Sequence, residues 1–250
     1  MMSSGKSEAG SIVMRWSFPW ERKSEEERID VLYGKGEAAL QKGNTKKAHQ
    51  IANELADLRN SGAYEIKARA QWLEGDRNGA IQTLDRGVIS YPQVALLWSY
   101  LGEFLSSEKR YDEAIRAFER TREGLAGSNG FADMNIAIVH HRAGDYERAL
   151  EFLDCVDDDP PRYRVLDVRA CILVDSGRFE EAKEVLEELE SLQAVRVSIE
   201  DQARWISLRA QVELAQSNKA RARELARQCL RLDRTCFRAH EVLNRLDSES

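Results

Sequence analysis

One pattern constrains this chain more than any other: small residues recur in pairs twelve positions apart, and the pairs themselves recur along most of the sequence. The clearest copy reads Trp98-Ser99-Tyr100-Leu101-Gly102, then Leu105, Tyr111, Ala114 and Phe118. Sliding its spacing along the chain finds five weaker copies. The first small residue falls at Gly36, Ala68, Gly102, Ala137, Ala170 and Ala210, and the second at Ala48, Ala80, Ala114, Ala149, Ala182 and Ala222. Successive second positions are 32, 34, 35, 33 and 40 residues apart. Ala114, Ile115, Phe118 and Thr121 share one helical face, as do Ala182, Val185, Leu186 and Leu189. Two short helices cross closely only where neither carries a bulky side chain, so the paired small residues mark crossings, with Trp98, Leu101, Phe118 and Leu186 filling space around them.

The turns give a partly independent check. Gly43, Gly75, Gly144 and Gly177 fall at one position of the pattern, just past a helix end, with Lys109 and Ser217 in the other two copies. A glycine there takes the left-handed conformation without Cβ strain. Pro92 and Pro161 fall where a second helix must stop.

The spacing W-x2-L-G-x2-L, a turn, then Y-x2-A-x3-F resembles the tetratricopeptide repeat, departing only at Leu105, where that family usually has Tyr. The resemblance implies an all-α, right-handed α-solenoid of stacked helix-turn-helix repeats with a C-terminal capping helix. Six units follow: 29–60, 61–94, 95–129, 130–162, 163–202 and 203–234. Residues 235–250 form a capping helix and tail, with Phe237, Val242, Leu243 and Leu246 covering the last apolar edge. Residues 1–28 are a tail, either capping or disordered. The 40-residue step predicts extra residues around Ser191–Asp201, as a longer helix or a loop. One helical pair cannot bury its apolar face alone, and stacking completes the core.

Composition agrees and excludes other classes. With 250 residues, 42% hydrophobic and 32% charged, 4 Pro and 15 Gly, the chain is globular and helix-friendly. A formal charge of −6 disfavours nucleic acid as a partner. Cys155, Cys171, Cys229 and Cys236 lack CxxC spacing and read as reduced thiols. No apolar run is long enough for a membrane span, and Ser11-Ile12-Val13-Met14, broken by Arg15, makes no signal peptide. The expected location is the cytoplasm.

Motifs for catalysis are absent: no GxxxxGK, HExxH, GxSxG or zinc-ligand spacing occurs, so no enzyme and no cofactor is expected. Gly34-Lys35-Gly36 lies inside an apparent helix without a preceding strand, and reads as a helix crossing. His140 and His141 point to different helix faces, the first toward the partner helix and the second into the groove beside Cys171 and Asp175; no metal site is expected from them. Asp157-Asp158-Asp159 lacks the spaced oxygens of a calcium loop and reads as a solvated connection. Glu180, Glu181, Glu184, Glu187 and Glu188 read as an exposed helix face.

Residues 203–245 hold ten Arg or Lys against four Asp or Glu. Arg223, Arg227, Arg231 and Arg234 recur at helical spacing as a basic stripe, fit for an acidic or phosphorylated ligand, or for docking on the protein's own acidic middle. In the tail, Trp16, Phe18 and Trp20 surround Pro19. They either pack on the first repeat or insert into a partner or groove.

In the family resembled, the first helices line a concave face that receives an extended or helical peptide. The resemblance places Glu65, Arg69 and Trp72 there, then Ser99, Glu103 and Ser106, then Phe131, Met134, Ile138 and His141, then Arg164, Asp167 and Cys171. A hydrophobic anchor with acidic flanks would suit an apolar middle bordered by Arg69, Arg142 and Arg164. Phe131 and Met134 packing between units is the competing reading. The carboxylate clamp of chaperone-binding members would fall on Ser99, Glu103, Asn135, Arg164 and Val168; Glu103 would repel a carboxylate, so that clamp is absent. The expectation is a non-enzymatic scaffold holding another protein or peptide, with self-association as a further option. The candidate groove comprises Arg69, Trp72, Phe131, Met134, Ile138, His141 and Arg164. The alternative is a regulatory module acting through Arg223, Arg227 and Arg231.

Overall fold

Helix caps set the punctuation of this fold. The Asn44 side chain accepts a hydrogen bond from the Lys47 amide, Asp145 accepts from Arg148 and Ser198 from Asp201, each satisfying an amide that the first helical turn leaves open. At the other ends, Gly43, Gly75, Gly144 and Gly177 all have φ between 65° and 86°. Lys109 and Ser217, at the same position of the other two copies, also have positive φ, at 62° and 65°. The turn geometry is therefore uniform, and these two side chains bear a strain that glycine avoids.

The computed structural model describes residues 19–124, 130–156, 160–192 and 198–248. Among them every regular element is an α-helix: α1 Pro19–Gln41, α2 Thr45–Asp57, α3 Gly62–Leu73, α4 Arg77–Ser90, α5 Ala95–Ser107, α6 Tyr111–Gly124, α7 Gly130–Ala143, α8 Tyr146–Asp154, α9 Arg162–Asp175, α10 Phe179–Ser191, α11 Ile199–Ala215, α12 Lys219–Leu232 and α13 Phe237–Ser248. The chain is an all-α helical repeat. α1 begins at Pro19, inside the segment expected to be a tail, and α11, which lies within the 40-residue step from Ala182 to Ala222, is 17 residues long. Trp16, Phe18 and Asp157-Asp158-Asp159 lie outside the described residues.

The helices gather into two compact units that divide after Thr83. In the first, Leu32, Leu40, Ile51, Leu55 and Ile66 form the core, and a Cβ on Gly36 would stand 3.0 Å from the Ile66 side chain. In the second, Leu153, Ile172, Leu186, Leu189 and Leu208 are the centre of one cluster, and Leu225, Cys229, Val242 and Leu246 of another. The alanines at the crossings are fully buried, from Ala48 and Ala68 to Ala210 and Ala222. At Gly102 the approach is closest: an added Cβ would meet the Phe118 ring at 2.8 Å. Within the second unit the first helices of successive pairs also touch, α7 against α9, α9 against α11 and α11 against α13, which sets their inner faces side by side.

Candidate functional site

The inner face of the second unit is built from side chains four apart on those first helices. Asp167 on α9 accepts from Trp205 Nε1 at 2.8 Å and from Arg204 Nε at 3.0 Å, both on α11. Arg204 also pairs with Asp201. Next to this cluster lies a cavity of about 290 Å³ between α7, α9 and α11, bordered by Met134, Tyr163, Arg164, Val168 and Trp205. Arg164 is exposed; its Nε lies 3.3 Å from the Tyr163 hydroxyl, and no carboxylate pairs with it among the described residues. Asp167, Asp201 and Arg204 also line the cavity, and the two carboxylates are engaged by Arg204, so the cavity combines an apolar floor with a cation, Arg164, that neither carboxylate pairs with.

Two helical turns along α9, Asp175 gathers a second cluster. His141 Nε2 lies 2.8 Å from Asp175 Oδ2, while Arg238 of α13 grips both carboxylate oxygens at 2.7 and 2.8 Å and donates to Gln211 Oε1 at 2.9 Å. Burial pushes the Asp175 carboxyl up, but the hydrogen bonds from His141 and Arg238 outweigh it and hold the group well below the usual carboxylate range. The cluster thereby joins four helices, α7, α9, α11 and α13. Beside it opens a larger cavity of about 740 Å³, lined by Phe179, Gln211, Leu214, Phe237 and Arg238 among others. Cys171, between the two clusters on α9, is pushed up to about 12 by burial, so its thiol stays protonated.

Other sequence candidates sit in packing roles. Met134 is 7% exposed and belongs to the core, forming the floor of the smaller cavity. Phe131 and Ile138 are half-buried against that same core and do not line the cavity. His140 stacks on Phe152, with ring centroids 5.3 Å apart. Burial holds its basicity below the ordinary value.

In the first unit, Arg69 is spent on neighbours. It pairs with Glu37 and, at 2.7 Å, with Glu65. Glu65 is 1% exposed and also accepts from the Tyr33 hydroxyl at 2.6 Å. Burial raises the Glu65 carboxyl, and the Tyr33 and Arg69 contacts only partly offset that. Trp72 is half-buried, with the Arg77 guanidinium 3.9 Å from its ring centre. In the first unit Arg69 is thus held in a charge cluster with Glu37 and Glu65.

On α12, Arg223 leans toward Asp247 at 3.5 Å. Arg227 and Arg231 are exposed and have no carboxylate partner among the described residues. No group of three or more His, Cys, Asp or Glu among the described residues could hold a metal ion. No helix there is long and apolar enough to cross a membrane.

Sequence reasoning stopped the groove one helix short. Arg204, Trp205, Gln211 and Arg238 are missing from it, although Arg204 and Gln211 stand 40 residues after Arg164 and Cys171. The 40-residue step, carried onto α11, would have found both. Arg238 carries no such signal, because in the sequence residues 235–250 show only the apolar pattern of a cap.

A family model described as tetratricopeptide repeat matches residues 67–129 and 168–241, just over half of the chain. The chain belongs to the tetratricopeptide repeat family, whose members generally mediate contacts between proteins and are generally non-enzymatic. Solved structures agree on the fold. The chain is similar to Pseudomonas aeruginosa pilF (TM-score 0.67, 18% identity, covering 89% of this chain and 99% of that one). It is also similar to a tetratricopeptide repeat protein from Parabacteroides merdae (0.68, 18%, 92% and 86%). A third likeness is to the Cut9 and Hcn1 hetero-tetramer (0.72, 13%), where it covers 88% of this chain and 43% of that one. No curated protein sequence matches the chain.

Proposed function

We propose that this chain is a non-enzymatic scaffold that holds a partner polypeptide against the inner face of its second unit. The observation that carries the reading is the cavity between α7, α9 and α11. Met134, Val168 and Trp205 give it apolar surface, its two carboxylates Asp167 and Asp201 are engaged by Arg204, and at its rim Arg164 pairs with no carboxylate among the described residues. An apolar anchor of the partner fits the floor, and an acidic residue beside it neutralises Arg164. The rigid support from Asp167, which fixes both Arg204 and Trp205, keeps the walls in place before binding. The four thiols, none of them in a disulfide, support the cytoplasm as the place of action.

Affinity capture from the native cell, followed by binding measurements with the captured partner, tests this reading. Arg164→Glu is expected to weaken binding at least tenfold, and Trp205→Ala comparably, with helix content unchanged. Unchanged affinity in both variants would sink the proposal. A second reading is favoured by Arg227 and Arg231, which stand exposed and unneutralised on α12. If an acidic or phosphorylated ligand binds there, Arg227→Glu with Arg231→Glu abolishes binding while Arg164→Glu does not, and added salt weakens it.

A further inference from the structure

The outer side of the second unit carries a cleft that inner-face binding leaves unused. α8 and α10, second helices of successive pairs, do not touch, and the gap between them is floored by α9. Two adjoining cavities of about 510 and 350 Å³ occupy this gap and share Asp154, Arg169 and Val185. Leu150, Leu153, Leu166, Leu173 and Val185 give them apolar surface. The cations around the cleft are engaged. Arg169 donates to Asp154 at 2.6 Å, Arg162 to Glu188 at 2.6 Å, and Arg178 to Glu181 at 2.6 and 2.5 Å. Glu147 and Glu151 on α8 and Glu184 on α10 are exposed and form no ion pair among the described residues. Six carboxylates against three guanidinium groups leave the cleft with a net charge of −3.

The next second helix carries the matching surface. α12 packs on α11 and α13 and touches neither α8 nor α10. Its Arg221 and Arg223 are engaged by Glu224 and Asp247, whereas Arg227 and Arg231 are exposed and have no carboxylate partner among the described residues. Four positions separate Arg227 from Arg231, about 6 Å along the helix, and the same four separate Glu147 from Glu151 on α8. Leu232, next to Arg231, is a large apolar side chain left 41% exposed.

We propose that a second copy of this chain occupies the cleft: Arg227 and Arg231 of one copy pair with Glu147, Glu151 and Glu184 of the other, and Leu232 covers apolar surface between α8 and α10. Charge selects the occupant. The cleft is negative and the exposed face of α12 positive, so cleft and α12 attract, while two clefts or two α12 faces repel. One molecule cannot make the contact alone, because its α12 is held on α11 and α13. Both surfaces belong to second helices on one side of the unit, so two copies about a two-fold axis make the contact twice and close a dimer. A contact of one helix face per copy is of the small, transient class, and its exposed charges make it sensitive to salt. Arg164 and Trp205 lie on the other side of the unit, so the contact is independent of inner-face binding. It rests on the second reading above, with this chain itself as the acidic ligand of Arg227 and Arg231.

Sedimentation equilibrium of the full-length protein, at salt concentrations of about 50 mM and about 500 mM, tests the proposal. At low salt the mean mass is expected to rise with concentration from the 28.5 kDa of one chain toward twice that value. High salt weakens the association about tenfold. Arg227→Glu with Arg231→Glu forms one variant, and Glu151→Lys with Glu184→Lys another. All four positions are exposed, so helix content is retained, and each variant alone stays at the mass of one chain. Mixed in equal amounts the two variants associate, because each α12 again faces a cleft of opposite charge. Arg164→Glu leaves the association unchanged, which separates this test from that of the inner face. A mass of one chain at concentrations up to about 1 mM in low salt would overturn the proposal. So would association that survives either charge reversal, or reversed variants that remain single when mixed.

Discussion

Gly102 has no side chain, and that absence is what admits the Phe118 ring to the crossing of α5 and α6. Gly102→Ala would push a methyl to 2.8 Å from that ring, which is buried and must shift to admit it. The expected cost is about 1–3 kcal/mol, read as a lower denaturant midpoint. Gly34→Ala, in α1 with open space around its position, is the control and stabilises by about 0.5–1 kcal/mol. His140 makes a different single-residue case. Its basicity is lowered by burial, so the folded state resists protonation more than the unfolded chain does. Its contribution is complete above the ordinary histidine range and is lost as pH falls through it. His140→Phe keeps the stack on Phe152 and is expected to flatten the fall in thermal stability between neutral and mildly acidic pH. A slope identical to wild type would assign that fall to other groups.

At the level of elements, α13 does two jobs with two faces. Ala239, Val242 and Leu246 cover the apolar edge of α11 and α12, while Arg238 on another face reaches back to α9. Asp175 is the shared acceptor for α7 and α13. Asp175→Asn leaves Arg238 half-buried without its counter-ion. For a partly exposed pair the loss is expected to be about 1–2 kcal/mol. Arg238→Met costs less, because removing the cation leaves His141 to serve the carboxylate. A double-mutant cycle in chemical denaturation measures the difference, and strict additivity would mean the contact contributes nothing. Since Asp175 titrates below the ordinary carboxylate range, its contribution is complete at neutral pH, begins to fall as pH drops through that range and is gone only below it.

Across the whole molecule the two units carry buried charges of opposite sense. Glu65, in the first, has its carboxyl raised, so the folded state takes up a proton before the unfolded chain does. That unit gains stability as pH falls from neutral toward the carboxylate range. His140, in the second, works in the other direction. Hydrogen exchange on the intact chain, corrected for intrinsic rates, is expected to show protection rising in α1–α3 on mild acidification while protection in α7 and α8 falls. A common trend in both units would refute this assignment of the titrating groups.

Much of the architecture follows from local rules that a sequence displays directly. The positive φ at six equivalent turn positions, the buried alanines at the crossings and the helical periods all depend on sterics within one repeat, so they can be read one stretch at a time. Charge could not be read that way. Arg69 looks like a groove cation until Glu37, 32 residues earlier, is found to neutralise it. Arg238 looks like part of a cap until Asp175, 63 residues earlier, is found in its grip. Asp167 acquires its role from Arg204 and Trp205 on the next first helix. Side chains and turns with local causes were determined by the sequence itself. Which charges are spent and which remain available was decided by tertiary packing, because Coulomb and hydrogen-bond partners are chosen by distance in space.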